Sequence, residues 1–270
     1  MMRRIRSNAP RVVLITDVGP DPDDVKALLL LAMAHRHAHI QLAAVVANGG
    51  SRPDRRAQLA RLILDRVHQR AVPVGIGMAG APVAEQPHEC SIRGFGAVDT
   101  SRLLDGKALL ARTLTRAPPK SVTMLLISGL RDFAEMVLMD RELVLRKVTA
   151  VSIQGGLEPD RTSPFGFVPD TSQNNAYDPI AAKIVYDFCF DNGIRMSVVS
   201  RNAVPVRRPL PPGHSRRRAH ARARTLVSRR AHAAPSPALA GRHARPLSPA
   251  ARSCCQCSSR ARSPCAPNRR

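Results

Sequence analysis

The sequence predicts an α/β protein built on a doubly wound, mostly parallel sheet. Three observations predict it. Short β-branched apolar runs recur along the chain, longer stretches of helical period separate them, and polar residues gather just after the runs. The runs are continuous rather than alternating, as expected of strands covered on both faces.

Residues 12–16 read as the first strand, followed by an acidic loop and a helix over 24–35. A strand at 40–46, a helix at 54–67 and a strand at 72–76 follow. Further on, a strand at 122–127 precedes a helix at 133–139 and a strand at 148–153. Asp178-Pro179 then starts a helix over 179–188, with Asp as N-cap and Pro in the first turn, before a strand at 194–199. Sheets of this kind bind ligands at the carboxyl ends of their strands. There the chain places Asp17, Asp21, Asp23 and Asp24, then Asn48-Gly49-Gly50, Ser128-Gly129 and Gln154-Gly155-Gly156. A later loop carries Ser172-Gln173-Asn174-Asn175.

Charge divides the chain. Its 270 residues carry a net charge of +22, which by itself suggests a nucleic-acid binder. Residues 207–270 hold 16 Arg and no Asp, Glu or Lys, and so carry +16 alone. The first 206 residues hold the other 26 basic and all 20 acidic groups, leaving +6. With five Leu or Val in its 64 residues, the basic segment buries too little apolar surface to offset its ordering entropy. We expect an α/β domain over 11–206 and a disordered Arg/Pro/Ala/Ser-rich tail over 207–270, whose residue set is what GC-rich codons supply out of frame. That tail would bind nucleic acid non-specifically, and it has no aromatic residue for stacking on bases.

Several classes are disfavoured. The longest apolar run, residues 27–34, is far short of the roughly 20 residues that span a bilayer, so no membrane partner is expected. The basic start lacks a secretory apolar core. Only Cys90 and Cys189 precede the tail, which suggests a reducing compartment and a cytoplasmic protein. The spacing of the tail cysteines is not that of a zinc module, and His35, His37 and His39 read as an exposed helix end. Neither glycine pair matches a P-loop or dinucleotide fingerprint. Nothing in the sequence argues for a particular oligomer.

Four carboxylates in one short loop repel one another. Full solvation or a bound hard cation with oxygen ligands relieves them. An Asp-rich turn with an N-capping Asp accounts for one or two of the four.

The run Ile15-Thr-Asp17-Val-Gly19-Pro-Asp21-Pro-Asp23-Asp24-Val-Lys-Ala27-Leu28 resembles the N-terminal signature of the nucleoside hydrolases, inosine/uridine-preferring type. Val45-Val46-Ala47-Asn48, Ile127 to Asp132, Ile153 to Gly156 and Gln173 to Pro179 resemble further family motifs in the same order. The likeness spans about residues 11–206. Two extra residues separate Gly19 from Asp23, Ile15 stands where the family has an Asp, and the family's late His-Asp pair has no counterpart after Asp191. The resemblance therefore implies a domain whose C-terminal part is missing and replaced by the tail.

The resemblance implies Ca²⁺-dependent cleavage of the N-glycosidic bond of ribonucleosides into ribose and base, an activity open to loss with the missing part. Asp17 would be general base and metal ligand, Asp24 a metal ligand, and Ser128 a ligand through its carbonyl. Asp23, Asn48 and either Asn174 or Asn175 would hold the ribose hydroxyls. Two other readings stand beside it. One is an inactive remnant whose tail binds nucleic acid. The other is a Mg²⁺-dependent phosphohydrolase with Ser128, Asp132 and Lys183 as its later groups.

Overall fold

The computed structural model describes residues 9–19, 21–80 and 98–203, all within the first of two units, Met1–Val206. The expectations for the tail over 207–270 and for Cys90 lie outside the described residues.

The first strand, β1 (Arg11–Thr16), is at the centre because its side chains are apolar on both faces: Val13 and Ile15 enter one core layer and Leu14 the other. It pairs in parallel with β2 (Gln41–Ala47) on one side and β5 (Val122–Leu126) on the other. Beyond β2 lie β3 (Val74–Ile76) and β4 (Leu103–Asp105); beyond β5 lie β6 (Val148–Gln154) and β9 (Arg195–Val199). The order β4-β3-β2-β1-β5-β6-β9 is parallel throughout, and its winding reverses between β1 and β5. A separate antiparallel hairpin joins β7 (Leu157–Pro159) and β8 (Phe167–Pro169).

Helices cover both faces, which confirms the doubly wound architecture. Leu28 and Ala32 of α1 (Pro22–Arg36) and Ala57, Ala60 and Leu64 of α2 (Pro53–Arg66) pack on one side. The other side is packed by α3 (Gly106–Arg116), α4 (Arg131–Met139), α5 (Arg141–Lys147) and α7 (Pro179–Asp191), with α6 (Gln173–Ala176) a single turn before α7. Asp178 caps α7 as its sequence suggests, accepting from the Ala181 amide at 3.0 Å. Among the described residues no helix is long and apolar enough to cross a membrane.

Three departures from the sequence expectations have physical causes. The third strand is Val74–Ile76 rather than 72–76, because Arg61 takes the Val72 carbonyl and Pro73 has no amide to offer. The α1 helix starts at Pro22 rather than at Asp24, since Pro suits the first helical position. Strand β4 was not expected, having three residues and existing only by pairing with β3.

Candidate active site at the carboxyl edge of the sheet

Strand register assembles the site. Ile15 pairs with Val46 and with Leu126, so continuing two residues places Asp17 between Asn48 and Ser128. This row lies where the winding reverses, the position at which such sheets open a ligand crevice.

The four clustered acids separate on folding. Asp21 is the N-cap position of α1 and makes no side-chain cap bond, while Asp21 and Asp23 both face solvent. Asp24, in the first turn, is turned inward with 6% of its surface exposed and accepts a short hydrogen bond from the Thr16 hydroxyl. Asp17 and Asp24 thus meet as a pair, and among the described residues no third His, Cys, Asp or Glu completes a cluster with them.

The environment of this pair disfavours charge. Burial pushes the Asp17 carboxyl up to about 6, against the pull of the Arg56 guanidinium. Burial first, and then the charge of Asp17, push Asp24 up to about 7. Arg56, itself 6% exposed, reaches in from α2 and donates through Nη1 to the main-chain carbonyl of Asp17. Arg56 is not among the residues the sequence singles out. Its signal was a charged side chain one turn before Ala60 on the buried stripe of α2.

Asn48 is 2% exposed, and its Nδ2 donates to the Gly129 carbonyl at 3.0 Å and to Asp132 Oδ2 at 2.8 Å. The Met78 amide donates to Asp132 Oδ1 at 3.1 Å. Burial outweighs these bonds and raises the Asp132 carboxyl above its ordinary value. Gly49, at φ +78°, lets the chain turn beside Asp17, whose Cβ would lie 3.1 Å from a Cβ there. Ser128 is fully buried, and its hydroxyl finds no partner among the described residues.

The two asparagines differ. Asn174 is half-buried and donates to the Gln154 carbonyl at 2.8 Å, while the Gln154 side chain donates to Asp23 at 3.1 Å. Asn175, 1% exposed, instead donates to the Gly156 carbonyl at 3.0 Å and to Asp170 Oδ1 at 3.1 Å, and its Oδ1 has no partner among the described residues. Lys183, a candidate for phosphate chemistry, pairs with Asp187 on its own helix.

The oxygen atoms present suit a hard cation: Asp17 and Asp24 offer two carboxylates whose mutual repulsion a cation would relieve.

A family model described as inosine-uridine preferring nucleoside hydrolase matches residues 12–234. The chain belongs to this family.

Among nucleoside hydrolases, the inosine-uridine preferring enzyme of Leishmania major is 28% identical over 189 residues, 66% of this chain and 57% of that protein. The solved structure of the type III effector protein XopQ, complexed with adenosine diphosphate ribose, is 26% identical at a TM-score of 0.64. It matches 73% of this chain and 59% of XopQ. The inosine-uridine preferring nucleoside hydrolase of Bacillus anthracis shares the fold at 17% identity and a TM-score of 0.52, over 82% of this chain and 72% of its own. This nucleoside hydrolase chain thus spans less than two thirds of the Leishmania and XopQ proteins it matches.

Proposed function

We propose that the chain hydrolyses the N-glycosidic bond of ribonucleosides, in the cytoplasm and with Ca²⁺ bound, releasing ribose and the free base. The observation that carries this reading is the Asp17–Asp24 pair, held at the reversal point of the sheet with Asn48 and Ser128 on either side.

Asp17, Asp24 and the Ser128 carbonyl would hold the ion, which when bound orients a water and lowers its pKa. Asp17 accepts the proton of the attacking water. Asp23, Asn48 and Asn174 take the ribose hydroxyls. Asn174 is preferred over Asn175 because it is linked to Asp23 through Gln154. As the bond to the base lengthens, positive charge grows on the ribose, and the nearby carboxylates stabilise it.

Ribose release from inosine and uridine, measured with Ca²⁺ and with EDTA, tests the reading. Calcium-dependent release supports it. Phosphate release from a phosphoester would favour the phosphohydrolase. Silence in both assays with salt-sensitive RNA binding would favour the remnant with a basic tail. The likeness to XopQ favours a second ligand class, ribosyl nucleotides such as adenosine diphosphate ribose, which calorimetry against ribose alone distinguishes.

A further inference from the structure

A primary amide has two donor hydrogens and one acceptor oxygen. Within reach of Asn48 Nδ2 stand two acceptors, the Gly129 carbonyl at 3.0 Å and Asp132 Oδ2 at 2.8 Å. Asp132 also accepts from the Met78 amide, at 3.1 Å to Oδ1 and 3.3 Å to Oδ2, so it is the acceptor in each of these bonds. Turning the Asn48 amide over would set Oδ1 against a carbonyl and a carboxylate, so a single orientation satisfies the neighbourhood. In that orientation Oδ1 is buried and unpartnered among the described residues. Gly77 packs closely against both side chains: a Cβ there would stand 2.7 Å from Asn48 Cβ and 2.9 Å from Asp132 Oδ1.

We propose that Asp132 is a positioning residue of the sugar site: it locks the Asn48 amide so that only the carbonyl oxygen is offered to a ligand. Asn48 then reads hydroxyl donors and nothing else. A ribose hydroxyl supplies the missing proton. A deoxyribose at that position leaves Oδ1 buried without a partner, which weakens binding by about 10–100-fold. The assignment of the hydroxyl to ribose rests on the ribonucleoside reading above; the lock on the amide does not.

Two measurements on the full chain test it. In the first, the Asn48 side-chain amide is followed by ¹⁵N–¹H NMR without ligand, its signals assigned by their loss in Asn48→Ala. Both hydrogens are expected to exchange slowly in the wild type and at least about tenfold faster in Asp132→Ala. Fast exchange in the wild type overturns the lock. In the second, inosine, 2′-deoxyinosine and 3′-deoxyinosine are titrated with Ca²⁺ present, and KM and kcat are read for inosine.

The wild type is expected to prefer inosine over at least one deoxy analogue. Asp132→Ala loses that preference through weaker inosine binding, with the change in KM rather than kcat. Asp132→Asn keeps the shape and one acceptor, and recovers part of the preference. Equal loss of affinity for all three ligands would mark Asp132 as merely structural and overturn the proposal. Binding without discrimination in the wild type overturns it too and leaves the ribonucleoside reading intact. A wild type that binds no nucleoside overturns that reading and the hydroxyl reading together, while slow amide exchange would still support the lock.

Discussion

Arg56 of α2 donates through its guanidinium to the main-chain carbonyl of Asp17, at the end of the first strand. Its charge pulls down the pKa of both Asp17 and Asp24, against the burial that pushes them up. A buried cation therefore already offsets part of the repulsion in the acidic loop. Arg56→Met removes it and leaves the Asp17 carbonyl without its donor, at a cost of about 1–3 kcal/mol in urea unfolding without Ca²⁺. Saturating Ca²⁺ should restore part of that loss. An unchanged midpoint would show that Arg56 contributes nothing to the loop.

The Asp17–Asp24 pair gives a pH dependence of definite sign. Both carboxyls have folded pKa values above the ordinary 3.8, about 6 and about 7. A raised folded pKa means stability that is fully present below about pH 4 and lost as pH rises through 6 to 7. Without metal, the stability of the wild type relative to Asp24→Asn should fall across that window. Calcium must displace the protons, so the rise in Tm that it produces should be larger at pH 8 than at pH 5. Thermal melts of both proteins, with and without Ca²⁺, check the two statements. A gap between them that stays constant with pH would contradict the first.

Asn174 and Asn175 should separate by phenotype. Asn175→Ala removes a side chain that donates to Gly156 and Asp170 in a buried setting, and should cost about 1–3 kcal/mol of stability. Asn174→Ala should leave the melt within about 0.5 kcal/mol and raise KM for inosine instead. Denaturant curves beside steady-state kinetics read both effects. The opposite pattern would exchange the two roles.

Legibility in the sequence followed the range of the physics. The run VVLIT, covered on both faces, and the Asp178-Pro179 helix start are local signals, and both elements lie where the residues placed them. Strand ends were legible too, because parallel register carries Asp17, Asn48 and Ser128 to one edge once the strands are found. The partners of those residues were not. Asp132 is 84 residues from Asn48 and Arg56 is 39 from Asp17, and no periodicity reports such pairs. The acidic loop misled in one respect: of four carboxylates in sequence, Asp24 became buried, Asp17 half-buried and two stayed in solvent, since the helix dipole and water accommodate Asp21 and Asp23.

The most direct test of the account is ribose release from inosine by wild type and Asp17→Asn, both saturated with Ca²⁺ and matched for folding by their melting curves. Asp17 is placed as the base that takes the proton of water, so the substitution should lower kcat by about 10²–10⁴-fold. A variant that binds inosine and releases ribose at the wild-type rate would contradict the account.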